Sequence, residues 1–455
     1  MYRSTKTIAL AFACVLSVVS AATAYTPPSS VVSALDKLRS YSDLTSAAGS
    51  MDIDTYAKNM ITWQMPHGGY YKAMAAKYVK PWDGKEALSS STSSSGEYMG
   101  TFDNNATIQE MRLLAVRYKA TAVAANKTTF KNSFQKAVKF IIASELPNGG
   151  WPQMYPKRGN YSDMATYNDN AMIRAMVLIK DIIDKKAPFD SDIASTDNLA
   201  SLKASLTKAV QFALKAQIVN GGKPTVWCAQ HDPSNYKPVA ARAYELASKS
   251  GSESVGIAYF LMNWPDQTPA VQNAVKGAIA WFKKTKVTNL SYSSGTFTPT
   301  TNGALWYRFY EVDTDEYFFC DREGPSTKTQ DIMKISEERR TGYQWAGNYG
   351  STLIGMESDY LAALGTSSVD RSSAQSGFSV GRTAGGISIK VPYDGMYTLR
   401  YHDLAGRILS RQDVSSVGGT IAQRMPGEIA RGVSMLSVSR PGGAVVGSYQ
   451  IEVHE

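Results

Sequence analysis

At 455 residues, 43% hydrophobic and 19% charged, the chain is too long for one small core and fits one large domain with a second appended. Three cysteines and four histidines (His67, His231, His402 and His454) exclude a disulfide framework and a His-rich metal centre. A formal charge of +9 suits a polyanionic partner such as an acidic polysaccharide, nucleic acid or a cell surface, though it also serves plain solubility.

The first element, residues 1–24, reads as a signal peptide. Arg3 and Lys6 precede an apolar run from Ile8 to Val19, and Ala22-Thr23-Ala24 offers a small-residue cleavage site. The run is shorter than the ~20 residues of a membrane span, and no later segment reaches that length, so a secreted protein is expected. Cys14 leaves with the leader, so Cys228 and Cys320 remain and can form at most one bridge.

From 104 to 290, apolar residues recur at helical spacing in "TIQEMRLLAVRYKATAVAA", "FKNSFQKAVKFIIASE", "NAMIRAMVLIKDIID", "LASLKASLTKAVQFALKAQ" and "ESVGIAYFLMNW". The connections repeat. "QMPHGGYYK", "ELPNGGWPQ" and "QIVNGGKPT" share a Gly-Gly core, with Gly69, Gly150 and Gly222 spaced 81 and 72 residues apart. Each is followed by a second signal, "FDNNAT", "YNDNAM" and "AARAYE", expected to open a helix and to set Asp103, Asp169 and Arg242 at equivalent points. That period predicts an array of helical hairpins. From 291 to 325, alternation rich in Tyr, Phe and Thr predicts short strands, and helix returns after 326. Residues 366–386 read as a Ser/Gly-rich linker, and residues 387–455 as a small antiparallel β-sandwich.

Asp103 and Asp169, each flanked by Asn, are either N-caps or hard oxygen ligands for Ca²⁺; a pair of carboxylates could equally be a glycosidase acid and base. Arg242, Arg308, Arg322, Arg339 and Arg340 sit beside aromatics, Gly or carboxylates, and their forks suit planar carboxylates such as those of a uronic-acid polymer. Arg339 next to Glu337 and Glu338 reads as an ordinary ion pair. Four Asn-x-Ser/Thr sequons, at Asn105, Asn126, Asn160 and Asn289, read as chance occurrences.

Seven ordered motifs, "FDNNAT", "NGGWPQMYP", "YNDNAM", "WCAQHD", "ARAYELAS", "DREG" and "ERRTGYQW", resemble the family 10 pectate lyases over about residues 30–365. The resemblance implies a mainly α fold, an irregular α/α toroid over residues 25–365. It also implies calcium-assisted anti β-elimination of polygalacturonate by a monomer that is secreted from a bacterium, binds no nucleic acid and inserts in no membrane. Carried over by position, it makes Asp103 and Asp169 metal ligands, Arg242 the base, and Arg322 and Arg340 holders of substrate carboxylates. It also draws Trp151, Gln153, Asn168 and Asp232 to the substrate, Trp151 and Gln153 as cleft wall. Glu323 and Ala247 depart from the family pattern of Asp and Pro at positions without an assigned role. "GMYTLRYHDLAGRIL" weakly resembles C-terminal sorting domains of secreted bacterial enzymes, with a carbohydrate-binding module as the competing reading. A glycoside hydrolase or a non-catalytic polysaccharide-binding protein are the alternatives to a lyase.

Overall fold

The computed structural model describes residues 25–368, 379–383, 386–391, 394–402, 408–424, 426, 432–439 and 445–453. The expected leader at 1–24 and most of the Ser/Gly-rich stretch lie outside them. Contacts divide the chain into a unit spanning Thr26–Leu361 and a second that carries the C-terminal strands.

The first unit is mainly helical. Two short helices, α1 (Ser29–Ala34) and α2 (Ser42–Ala48), lead into α3 (Ile53–Thr62). Then come the pairs α4 (Ile108–Ala120) and α5 (Ala124–Ala143), α6 (Ala171–Ile183) and α7 (Thr196–Ala216), and α8 (Glu253–Met262) and α9 (Pro269–Thr285). α10 (Glu337–Gly342), α11 (Ser351–Gly355) and α12 (Glu357–Ser368) close the order. The first helix of each pair is buried over much of its circumference, α6 and α8 being apolar nearly all round while α4 also buries Gln109, Glu110 and Arg112, and α4 packs on α6 and α6 on α8. The second helices bury one face only and pack in a parallel row, α3 on α5, α5 on α7 and α7 on α9.

The Gly-Gly loops lock each hairpin to the next. Gly68 and Gly149, both at positive φ, lie so close to α5 and α7 that a Cβ would meet Lys136 O at 2.2 Å and Lys208 O at 2.5 Å. In the third repeat the glycine sits on the helix instead, Gly277 of α9 lying under Pro224 O. Just ahead of each loop a side chain reaches the same neighbouring helix: Gln64 to Ser133, Glu145 to Ser205 and Gln217 to Ala274.

Trp151 takes its place from this repeat. Its indole N–H donates to Ile141 O at 2.9 Å, Trp227 donates to Ala213 O at 2.7 Å, and Trp306 to Phe282 O at 2.8 Å. Each thus satisfies a last-turn carbonyl of α5, α7 or α9 that has no intrahelical partner. Trp151 is fully buried, so its expected place in the cleft wall is corrected: it is a helix-end support, and Gln153, two residues on, is the side chain that lines a cleft.

Two-residue strands stitch the second loops together. Gly100–Thr101 pairs with Met154–Tyr155, Ala165–Thr166 with Gln230–His231, and Lys249–Ser250 with Phe309–Tyr310. The backbone N–H groups of Thr101, Thr166 and Ser250 donate to Tyr70, Trp151 and Trp227 in turn. This fixes the repeat register and corrects the sequence alignment. Asp103 is equivalent to Asn168 and Ser252, whereas Asp169 is equivalent to Asn104 and Glu253. Arg242 belongs to no such position, because residues 240–248 form bends rather than the start of a helix, within an extra loop between Gln230–His231 and Lys249. The 291–325 expectation is met by a hairpin of Val287–Ser293 and Thr296–Tyr307.

The second unit holds a three-stranded and a four-stranded antiparallel sheet. Ile387, Ile389, Tyr397, Leu399, Tyr401, Ile421, Leu436 and Val438 form one core between them. Tyr397 and Tyr401, the aromatic pair of "GMYTLRYHD", are buried, so neither offers a sugar-stacking surface.

Glu110 on α4 is buried, with Tyr78 Oη donating to its Oε1 at 3.2 Å and Oε2 without a partner. Burial pushes its carboxyl up to about 8 from its ordinary 4.5. The folded chain therefore keeps a proton that the unfolded chain releases. The resulting stability is full below pH 4.5 and is lost as pH rises toward 8. Glu110→Gln is expected to leave the thermal midpoint near wild type at about pH 4 and raise it by several degrees at about pH 9, as scanning calorimetry would read.

Candidate active site

The stitched loops frame a polar cleft of about 340 Å³, and its lining includes Lys72, Asp103, Asn104, Gln153, Asn168, Asp169, Arg242 and Glu245. The sequence DNN at 103–105 and NDN at 168–170 each form a single 3₁₀ turn rather than a helix cap. Asn104 (φ 50°) and Asp169 (φ 52°) take the left-handed conformation that Asn and Asp adopt more readily than other non-glycine residues. α4 and α6 then begin without any side-chain cap, so the N-cap reading of these aspartates is set aside. The short polar side chains instead project into the cleft.

Each cleft carboxylate is already compensated by a protein cation. Lys72 Nζ donates to Asp103 Oδ2 at 2.5 Å, and Asp103 is 3% exposed. Arg308, buried beneath the cleft, reaches Asp169 Oδ1 at 3.2 Å and Glu253 Oε1 at 2.6 Å. Burial alone would lower the Arg308 pKa, but Glu253, Tyr343 and Asp169 together raise it well above its ordinary value. Asn168 donates to Asp169 Oδ2 at 2.9 Å and accepts from Arg308 at 3.2 Å. The carboxylates of Asp103 and Asp169 and several amide oxygens in one water-facing cleft make a hard-donor set that fits a calcium-class cation; neither Cys228 nor Cys320, both buried and unbridged, belongs to the lining.

Arg242 grips Glu245 with both ends of its fork, Nε to Oε2 at 2.7 Å and Nη2 to Oε1 at 2.5 Å. Glu245 is 4% exposed and also accepts from Tyr343 Oη at 2.8 Å. Burial opposes the Arg242 charge, yet the hydrogen bonds and charge of Glu245 outweigh it and raise the arginine's pKa. Burial likewise pushes Glu245 up, and Arg242 more than reverses it, leaving the carboxyl below its ordinary value. Replacing Glu245 by Gln is expected to shift any rate limb governed by Arg242 deprotonation to lower pH, seen as a higher ratio of rate at pH 7 to rate at pH 10.

The remaining arginines gather around one ring. Arg339, Arg242 and Arg322 lie 4.5, 5.0 and 5.7 Å from the Tyr244 centroid. Arg322 is exposed and bidentate to Glu338 at 2.8 and 2.9 Å. Arg339 pairs with Glu338 at 3.0 Å, as its sequence neighbours suggested. Arg340 is not part of this group; its stem lies against Gly295. Neither Arg322 nor Arg340 lines the cleft around Asp103. Asp232 does not line it either: its carboxylate accepts from Ser234 and Asn235 in its own turn, and Gln230 is the lining residue of that strand.

Among the described residues, no histidine lines the cleft. Burial pushes His231 down to about 4, and its two ring nitrogens are taken up by Cys228 N and Tyr236 O. His67, also lowered by burial, stacks on Phe140. Asn105 is buried with its Nδ2 donating to Ser40 O at 2.7 Å, so the nitrogen that a glycan would need is already engaged. Sequence reasoning missed Lys72 and Glu245. Glu245 stands three residues after Arg242, and Lys72 closes the "GGYYK" loop, but only the folded chain shows what they hold.

The pectic acid lyase family model matches residues 64–354. A family 10 polysaccharide lyase from Cellvibrio cellulosa is 36% identical, with a TM-score of 0.59, over 71% of this chain and 97% of that one. A single-residue mutant of a family 10 polysaccharide lyase from Cellvibrio cellulosa, in complex with trigalacturonic acid, is 37% identical with the same TM-score, over 71% of this chain and 98% of that one. No curated protein matches the chain.

Proposed function

The chain belongs to the pectic acid lyase family and is a lyase acting on polysaccharides, and from that premise we propose that it cleaves polygalacturonate by calcium-assisted anti β-elimination with Arg242 as base. We read the helical unit as an irregular α/α toroid and the protein as a secreted bacterial monomer with an accessory or sorting domain at its C-terminus. Among the described residues no helix is long and apolar enough to cross a membrane.

The observation that carries the reading is the meeting of Asp103, Asp169 and Arg242 on one cleft from three separate loops. Asp103 and Asp169, with the amide oxygens of Asn104 and Asn168, would hold Ca²⁺. When bound, such an ion withdraws charge from a substrate carboxylate and so acidifies the neighbouring C5 proton. The neutral form of Arg242 would then take that proton, the C–H electron pair forming the C4=C5 double bond as the C4–O bond breaks, and the departing oxygen would take a proton from water to release the leaving sugar. Glu245 fixes the Arg242 fork while keeping it protonated, so the rate is expected to climb into alkaline pH. Arg322, together with the positive cluster on Tyr244, is placed to draw in further carboxylates, and Arg340 remains assigned to substrate by position in its motif. A glycosidase would need one carboxylic acid kept protonated, whereas Asp103, Asp169 and Glu245 each face a cation.

Incubation with polygalacturonate at alkaline pH, with added calcium or with chelator, tests the proposal. Near-ultraviolet absorbance should rise with calcium and stop with chelator. New reducing ends without absorbance would make the protein a hydrolase, and retention on pectate without either would make it a binding protein.

A further inference from the structure

A second cavity, of about 450 Å³, shares Asn104 with the catalytic cleft, and its size lies in the ordinary range for small-molecule sites. Lys37 and Asp43 of the N-terminal segment form one wall, while Asn104, Asn105, Gln109 of α4 and Arg174 of α6 form the facing one. The N-terminal wall is anchored: Arg39 binds Asp181 of α6 at 3.0 Å, and Arg112 of α4 binds the same carboxylate at 2.9 Å.

Three residues that line this cavity each carry a buried polar atom with no hydrogen-bond partner: Arg174 Nε, Asn105 Oδ1 and Gln109 Oε1. Gln109 is 4% exposed and Asn105 8%, so bulk water does not compensate them freely. The Asn105 amide is oriented by its bond to Ser40 O, which leaves its oxygen as an unpaired acceptor. Arg174 makes no ion pair within 4 Å among the described residues. Burial lowers its pKa, and the more distant Asp43 and Asp169 only partly offset that.

The unmet demands are one cationic donor and two acceptors. A uronic acid supplies their complement, a carboxylate for the guanidinium and hydroxyl donors for the amides. We propose that this cavity is a second uronate-binding subsite, in which Arg174 and Lys37 hold a carboxylate while Asn105 and Gln109 accept from sugar hydroxyls. The polymer would cross Asn104 between the cleft and this cavity, an inference that rests on the polyuronate reading above.

The test is steady-state kinetics on trigalacturonate and on long polygalacturonate. Arg174→Met should raise KM for the polymer about tenfold, a loss of one charge-assisted contact, with a smaller rise for the trimer and kcat unchanged. Lys37→Ala should move polymer KM the same way by less. Asp43→Asn, which removes a repelling charge, should lower it. Lys37 and Asp43 are exposed, so these two variants decide the matter if Arg174→Met fails to fold. Polymer KM unmoved by all three, or moved equally for both substrates, overturns the subsite. Should the wild-type protein not turn over the polymer at all, the lyase reading fails, and calorimetric titration with polygalacturonate then judges the cavity. Binding weakened in Lys37→Ala and strengthened in Asp43→Asn supports it, and equal binding overturns it.

Discussion

Arg242→Ala is expected to bind polygalacturonate nearly as well as the wild-type protein and to form unsaturated product 10²- to 10⁴-fold more slowly, the usual contribution of a positioned proton-transfer group. The substitution leaves the helical repeats untouched, because Arg242 stands in the loop between Gln230–His231 and Lys249 and its side chain is 42% exposed. Its local cost is the stranding of Glu245, which still accepts from Tyr343 Oη. Arg242→Lys separates charge from shape. It keeps a cation beside Glu245 but loses the two-pronged hold, so its rate should fall between wild type and Ala. A kcat unchanged in Arg242→Ala would move the base elsewhere in the cleft.

Asp169→Ala should raise the calcium needed for half-maximal rate on the order of 10- to 100-fold, because removing one of two carboxylates weakens a hard-oxygen site through its charge count. Asp169 is half exposed and its partners are Arg308 and Asn168, so its loss opens no core. Arg308 keeps Glu253 as partner at 2.6 Å, which confines the effect to the cleft. Asp103→Ala should act in the same direction and in addition free Lys72, whose only described ion pair is Asp103. An unchanged chelator response in Asp169→Ala would remove that residue from the metal site.

Helical periodicity was enough to place α4 to α8, because each buries at least one continuous apolar face and that face is written in the spacing of Ile, Leu, Val and Phe. The Gly-Gly turns were legible for the same local reason. What the strings concealed was register. "FDNNAT" and "YNDNAM" look alike, yet the strand pairings at Thr101 and Thr166 put Asp103 opposite Asn168, not Asp169. Nothing within six residues encodes that offset. "AARAYE" carries the composition of a helix start, but the extra loop after His231 holds it as bends whose Arg and Glu satisfy each other. Trp151 misled because an indole beside a cleft motif invites a sugar-stacking role. Its partner, the carbonyl of Ile141, belongs to the preceding helix and becomes visible only when the three tryptophans are seen doing the same thing. Lys72, Glu245 and Arg308 act as partners to charges far away in sequence, a relation that composition and spacing do not carry.

The most direct test of the central claim is the mass of the products released from trigalacturonate in water enriched in heavy oxygen. Elimination by Arg242 predicts a fragment lighter by one water, carrying the double bond, and no heavy oxygen incorporated on bond cleavage. Two saturated fragments, one labelled at the new end, would contradict it.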